Sequence, residues 1–315
     1  MTEVPPRLPP RDSGDAWVEG PDGRRYWGRY GAAGLLVHDE GAGILLQHRA
    51  EWSHFGGTWG LPGGARHEGE TAVAGAIREA GEEAGVPADA LQIAVTSTLD
   101  LGYWSYVTVL ARTTRFFEPS IGDAESLELR WVPVEEVDGL PLHPGFGSAW
   151  PLLRGRLDER IRVVVDAANV VGSRPDGWWK DRRGANEALL ARISRLNATG
   201  VASSEFGAAA GRSWPAFTVV VEGQARDAAV PVPEAGSLVP ALDVVRAAGS
   251  GDDTIVDSVV DLVRAGPPAT TIVVTADRAL ARRVEEFGAE VRGPGWLLTL
   301  LDGLPGGPPD GLPGA

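Results

Sequence analysis

Apolar positions along this chain fall into two regimes. Between residues 26 and 156 they form short runs, GAAGLLV at 31–37, GILLQHR at 43–49, WSYVTVLAR at 104–112 and LELRWVPV at 127–134, bounded by Gly, Pro and polar residues. Such runs predict strands, and only 71–84 has a helical spacing, so a mixed sheet with few helices is expected. From residue 161 the pattern changes to apolar strands, RVVVD at 162–166, FTVVVE at 217–222 and TIVVTAD at 271–277, alternating with helices near 184–198, 253–265 and 277–288. That alternation predicts an α/β domain with a parallel sheet and helices on both faces. The Arg-rich stretch RGRLDER at 154–160 separates the regimes. The reading is therefore a first domain over 17–156, a linker at 157–160 and a second domain over 161–302.

Composition sharpens this picture in a few places. A length of 315 residues exceeds what one core usually organises, in agreement with two domains. No apolar stretch approaches the roughly 18 residues of a membrane span, and no apolar segment follows the charges at the N-terminus. A soluble, cytoplasmic protein with no membrane partner is expected. Residues 1–16 are Pro-rich and polar and 303–315 are almost wholly Gly, Pro and Asp, so both are expected to be disordered. With no cysteine, any metal must be held by oxygen or histidine. The net charge of -14 argues against a protein that coats nucleic acid, because phosphate binding is driven mainly by Lys and Arg. The charge is uneven: 14 basic against 24 acidic residues in 1–160, and 15 against 18 in 161–302. The second half tolerates RNA better.

The most informative stretch is GARHEGETAVAGAIREAGEEAGV at 64–86, a Gly-rich loop feeding a helix that stops at Gly85. Glu79, Glu82 and Glu83 stand at i, i+3 and i+4, on one helix face with Cβ atoms about 5–6 Å apart. Two unit charges 4 Å apart repel by roughly 4 kcal/mol at an effective dielectric near 20, so something positive belongs among them. A solvated acidic face with Arg78 as local partner would account for three glutamates alone. Hard cations such as Mg²⁺ take carboxylate and carbonyl oxygens and keep waters that contact substrate phosphates.

The full spacing goes further. Gly64, Glu70, Arg78, Glu79, Ala80, Glu82, Glu83, Gly85 and Val86 meet every position of G-x5-E-x7-R-E-U-x-E-E-x-G-U, U being aliphatic, and the stretch resembles the Nudix box. Seven fixed residue types at about 10% each give a chance match of roughly 10⁻⁷ per starting position. The resemblance covers about 26–156 and implies an α/β/α sandwich with a mixed sheet and a divalent-metal hydrolase that cuts the pyrophosphate link of a nucleoside diphosphate joined to another group. It implies Mg²⁺ or Mn²⁺ held by Glu82, Glu83, the carbonyl of Gly63 and Glu79, the last as ligand or as base. By the same resemblance Arg78 orients the glutamates, and Glu70 ties the loop to the helix start. Trp52, Phe55, Trp59, Trp104 and Tyr106 are candidates for stacking a base, with core packing the alternative for each.

In 161–302, Asp166 and Asn169 follow the first strand, Asp252 and Asp253 open a helix and Asp277 follows another strand. Residues just beyond strand C-termini gather at one edge of a parallel sheet. Asp166, Asp253 and Asp277 are the candidate ligands for Mg²⁺ or Mn²⁺, with Asn169 beside them for substrate and Glu187 as a further ligand; helix capping is the alternative for Asp253 and Asp277. Together with Thr275 they resemble the PIN-like NYN ribonuclease family, which implies a three-layer fold and RNA as a partner. Trp178, Trp179, Lys180, Arg182 and Arg183 form a basic aromatic loop suited to RNA or to plain solvation. Three functions are open: a nucleotide hydrolase with a separate nuclease, an RNA 5′-end pyrophosphohydrolase coupled to a ribonuclease, and a nucleotide sensor controlling the second domain.

Overall fold

The computed structural model describes residues 13–304 apart from 176, 209, 233–235 and 265–268. Most of the two terminal segments read as disordered, 1–12 and 305–315, lies outside the described residues. Residues 13–16 do not continue that pattern: the Gly14 carbonyl accepts the N–H groups of Ala16 at 2.8 Å and Arg29 at 2.9 Å. The chain divides into two compact units, Met1–Leu157 with Ala202–Ser213, and Asp158–Val201 with Trp214–Ala315.

The first unit is built on a mixed sheet. Its central strand, Ala32–Asp39, is buried along nearly its whole length, as an uninterrupted apolar run should be. It runs parallel to Ser105–Thr113 and antiparallel to Gly43–Arg49 and Gly63–Ala65. Leu91–Asp100 pairs with Ser105–Thr113, and Ser126–Val132 pairs with Gly43–Arg49 with a register shift between His48 and Arg49. The helix Ala72–Ala84 buries its small residues Gly75, Ala76, Ala80 and Ala84, which lets its backbone approach the sheet closely. A second helix, Pro144–Arg154, places Phe146, Trp150 and Leu153 in a cluster with Leu36, Ile44, Leu46 and Leu110 from the sheet. The sequence pattern had not separated this helix from its surroundings, because Pro144 and Pro151 obscure its period; Pro144 stands in the first turn, where proline is tolerated.

The boundary differs from the expected one. Arg156 is 5% exposed, and it donates to the Thr96 carbonyl at 3.3 Å and to the hydroxyls of Ser203 at 3.3 Å and Ser213 at 3.4 Å. The short strand Arg212–Ser213 pairs with Leu91–Asp100 at Val95. Residues 202–213, assigned to the second domain by sequence pattern, thus complete the first unit, and Leu157 joins its core instead of opening a linker.

The second unit has a parallel sheet in the order Asp243–Arg246, Ala216–Val221, Ile161–Asp166, Thr270–Val274, Glu290–Arg292. Val164, Val220 and Val273 pack with Ile255 and Val259 of the helix Gly251–Arg264 and Leu280 and Val284 of Arg278–Glu285. The helices Arg182–Thr199 and Pro294–Asp302 pack against one another and against Ala167–Gly172. No helix among the described residues is long and apolar enough to cross a membrane.

Candidate functional site

Thr71 caps the helix Ala72–Ala84 by accepting the Ala74 N–H at 3.1 Å, and Gly85 ends it in the left-handed conformation at φ 62°. Only glycine adopts that conformation without cost, and a Cβ there would meet the Ser120 hydroxyl at 2.2 Å. The helix so bounded holds its glutamates against the strand Gly63–Ala65. At Gly64 a Cβ would lie 2.7 Å from the Glu79 carboxylate, so the box glycine makes room for an acid.

Arg78 organises the cluster. Its guanidinium donates to both oxygens of Glu70 at 3.0 and 3.1 Å, to Glu79 at 2.9 Å, to Glu82 at 3.4 Å and to the Ala65 carbonyl at 3.0 Å. Hydrogen bonding to Arg78 is the leading reason that Glu70 sits below the ordinary carboxylate range. Glu70 also accepts the His67 N–H at 2.9 Å, and Arg66 donates to the Glu70 carbonyl at 2.6 Å, which ties the loop to the helix start. Glu79 shifts the other way: burial is the largest influence and raises its pKa, with the charges of Glu82 and Asp15 adding to it against the lowering by Arg78.

Glu83 is 7% exposed and accepts the Gly63 N–H at 2.9 Å. Burial pushes its carboxyl well above the ordinary range, only partly offset by that hydrogen bond, and the charges of Glu79 and Asp123 push further. A buried carboxylate with so little compensation is a functional-site signature. Three residues that pattern reading did not single out join it. Arg49, just past the register shift, acts on Glu83 and stands 3.8 Å from Glu125. Glu125, held by a hydrogen bond from the Ala50 N–H to its own carbonyl at 2.8 Å, is raised by burial and by Asp123. Asp15 contributes negative charge at both Glu79 and Glu125. These positions come from a strand end, a loop and the N-terminal segment, and none has a spacing that marks it.

Among the described residues no three His, Asp or Glu side chains already stand at metal-holding distance. The donor chemistry nevertheless fits a hard divalent cation. The carboxyls of Glu79 and Glu83 are both raised, by burial first, so a cation placed beside them would favour their charged forms; Glu82 is exposed enough to swing, and the Gly63 backbone lies beside Glu83. Trp59 does not serve as a base platform: it is 6% exposed, stacked on the His48 ring at 4.7 Å with the Arg130 guanidinium 4.5 Å from its centroid. Trp104 is tied down as well, its indole N–H donating to the Trp27 carbonyl at 3.0 Å and its ring 4.7 Å from Tyr26.

In the second unit the structure brings Asp166, Asn169 and Asp277 together at the C-terminal edge of the sheet. Asp166 accepts the Thr275 hydroxyl at 2.8 Å and the Asn169 side-chain amide at 2.9 Å. Asp277 caps the helix Arg278–Glu285 through the N–H groups of Ala279 and Leu280 at 2.6 and 2.9 Å, and these bonds hold its pKa low. Asp253 is not part of this group; it pairs with Arg283 at 2.7 Å. Its neighbour Asp252 takes its place, raised by burial first and then by the charges of Asp277 and Asp166. Glu222, which accepts the Gly251 N–H at 2.8 Å, adds a further carboxylate that acts on Asp252. Glu187 is already engaged by Arg183 at 2.8 Å and the Ala229 N–H at 3.0 Å. In the basic aromatic loop the Arg182 guanidinium lies 5.4 Å from the Trp178 ring centroid.

A family model described as the NUDIX domain matches residues 28–154. The protein named "Putative 8-oxo-dGTP diphosphatase 3" of Mycobacterium tuberculosis is 47% identical over 168 residues, covering 48% of this chain and 77% of that protein. A "Nucleoside triphosphate pyrophosphatase/Nudix hydrolase fusion protein" of Bifidobacterium longum is 40% identical over 164 residues, covering 48% of this chain and 34% of its own length. The crystal structure of the Nudix hydrolase RenU of M. smegmatis aligns with a TM-score of 0.41 at 46% identity, over 45% of this chain and 94% of that one.

Proposed function

Because the chain belongs to the Nudix hydrolase family, we propose that it hydrolyses the pyrophosphate bond of a nucleoside triphosphate or dinucleotide in the cytoplasm, with Mg²⁺ or Mn²⁺. The observation that carries this is the glutamate helix: an arginine clamps Glu70, Glu79 and Glu82, while Glu83 stays buried with little compensation. Glu79, Glu82, Glu83 and the Gly63 carbonyl are the residues that would hold the metal. When bound, the metal neutralises phosphate charge and acidifies a water. The protein's own contribution is positioning. Arg78 fixes Glu79 through its guanidinium, the Gly63 N–H fixes Glu83, and Arg49 offers a positive charge to an incoming phosphate beside them. Glu79 and Glu125, both raised by burial, are the carboxylates suited to take the proton of the attacking water at neutral pH.

The test is mass balance over a nucleotide panel with Mg²⁺, scored for orthophosphate, pyrophosphate and monophosphate and beginning with oxidised deoxynucleoside triphosphates, since a relative's name carries that substrate. Monophosphate release is expected. Release only from 5′-triphosphate RNA would favour RNA end processing instead, and nucleotide binding without turnover would favour a sensor.

For the second unit the reading is a PIN-like, NYN-type ribonuclease. Asp166, Asp252 and Asp277 at one sheet edge support it, through the repulsion that raises Asp252. Metal-dependent cleavage of single-stranded RNA by the full chain, abolished by Asp166→Asn, is expected. Absence of cleavage with both Mg²⁺ and Mn²⁺ would leave this unit a binding or structural role.

A further inference from the structure

A row of rings in the first unit is not accounted for by the hydrolytic cluster. The centroids of Trp17 and His54 lie 5.4 Å apart, those of His54 and Phe55 4.2 Å, and those of Phe55 and His143 4.8 Å, all in edge contact. Trp17 is 42% and Phe55 45% exposed, so two large rings of the row face solvent. Single exposed rings need no explanation, but a contiguous set does. Phe55 is also the one described non-glycine residue at positive φ, 57°. A bulky residue in the left-handed region is uncommon and persists only where its surroundings impose it, as they do at binding sites. The imposing contacts are visible: Thr58 donates its hydroxyl to the Phe55 carbonyl at 2.6 Å, and the Gly57 N–H donates to the Arg49 carbonyl at 2.9 Å.

Arg49 connects this row to the glutamates. Its Nε donates to the His54 carbonyl at 3.1 Å, its guanidinium approaches Glu125, and its charge acts on His54, His143 and Glu83. Burial first, and Arg49 second, depress the His143 pKa to about 4, so this imidazole is neutral at physiological pH. Its Nδ1 accepts the Gly145 N–H at 3.1 Å, which leaves the proton on Nε2 as a donor. Neutral rings carrying N–H donors, beside an arginine that also reaches Glu125 and acts on Glu83, suit a heteroaromatic base.

We propose that Trp17, His54, Phe55 and His143 form the base-binding subsite of the Nudix unit, stacking the nucleobase on Trp17 and Phe55 while Arg49 spans from this row to the phosphate-handling carboxylates. The proposal rests on the nucleotide reading of the site and adds which residues decide the base. Trp17 also meets the Trp27 ring at 5.2 Å and the Arg25 guanidinium at 5.3 Å, yet it stays 42% exposed, whereas Trp59 is buried and the Trp104 indole N–H is held by the Trp27 carbonyl.

Binding separates this proposal from hydrolysis. Calorimetry on the full chain, without metal, would use guanosine and adenosine 5′-monophosphate, ribose 5-phosphate and inorganic pyrophosphate as probes. Phe55→Gly removes the ring and suits the left-handed backbone; Trp17→Ala removes the other platform and Trp17→Phe keeps one. The expected result is about tenfold weaker binding of the monophosphates by Phe55→Gly and by Trp17→Ala, recovery in Trp17→Phe, and unchanged ribose 5-phosphate and pyrophosphate. Monophosphate affinity unchanged in Phe55→Gly would overturn it, as would no monophosphate binding by the unaltered chain or an equal loss for ribose 5-phosphate. Monophosphate binding at this row with no turnover of any nucleoside triphosphate or dinucleotide would instead overturn the hydrolase reading alone.

Discussion

On the helix Ala72–Ala84 the carboxylates meet a cation supplied by the protein, Arg78, which touches three of the four box glutamates. At the edge of the parallel sheet in the second unit, Asp166 and Asp277 instead meet neutral donors, a hydroxyl, an amide and the N–H groups of a helix start. In the first cluster Glu83 remains buried and poorly compensated and Glu79 is raised by burial as well; in the second, Asp252 is raised by burial and by the charges of Asp277 and Asp166. The difference teaches where reactivity is stored. An arginine clamp lets several acids crowd together while the buried ones stay raised, whereas neutral donors hold Asp166 and Asp277 and leave their charges to act on Asp252.

The strongest way to break this contrast is Glu83→Gln. Glutamine keeps an acceptor for the Gly63 N–H and removes the charge, so the fold should persist while kcat falls at least about a hundredfold, near 2.7 kcal/mol of transition-state stabilisation. Steady-state hydrolysis at saturating Mg²⁺, beside a melting curve, checks it; wild-type turnover would remove Glu83 from the machinery.

A second arginine of the first unit tests whether cations also anchor its fold. Arg156→Met strips donors from the Thr96 carbonyl, Ser203 and Ser213 and should cost about 2 kcal/mol. A chain ending at Leu157 lacks both serines and the strand Arg212–Ser213, so it should melt lower than the full chain by at least as much. Its kcat should stay within a few fold, since every box residue precedes residue 87. Cooperative melting with lost hydrolysis would show that residues beyond 157 complete the active site.

Glu70→Gln removes the clamp's best-compensated member at an expected cost of about 1.5 kcal/mol at pH 7. Because the Glu70 pKa is depressed in the folded state, its contribution is present above the unfolded value of roughly 4.3 and is lost as pH falls through the folded value. The gap in melting temperature between wild type and Glu70→Gln should therefore narrow below about pH 4. A gap that widened there would reverse the assigned direction.

How much of this was legible in the sequence depends on whether a feature is local. The box is one loop and one helix, so its spacing fixes which acids share a face, and the strands Ala32–Asp39 and Gly43–Arg49 announced themselves by the short apolar runs that open them. Arg49, Glu125 and Asp15 reach the same site from three separate segments, and no linear spacing records that. The strands Asp243–Arg246 and Glu290–Arg292 were not distinguished because they are only 4 and 3 residues long, and both end in arginine. Residues 202–213 were assigned by position along the chain, while their structural role is set by pairing with a strand more than a hundred residues earlier. At Asp252 and Asp253 the sequence offers two adjacent acids at a helix start, and only the rotation of that helix decides which one faces Asp166 and Asp277.

That rotation supplies the smallest and most discriminating test. Asp253 pairs with Arg283 at the surface, where an ion pair contributes at most about 1 kcal/mol, so Asp253→Asn should change the melting temperature little and leave any metal-dependent RNA cleavage intact. Asp252→Asn removes a like charge from beside Asp166 and Asp277, so in the presence of chelator it should raise the melting temperature slightly. The two substitutions have similar size and chemistry and differ in which side of one helix turn they occupy. If Asp252 belongs to a metal-holding edge, its asparagine variant gains stability without metal and loses cleavage with Mn²⁺, the trade expected of an acid kept for binding. If both variants melt alike and cleave alike, the acids at this sheet edge act as helix caps and fold contacts, and the contrast with the glutamate helix becomes one between a reactive site and a structural one.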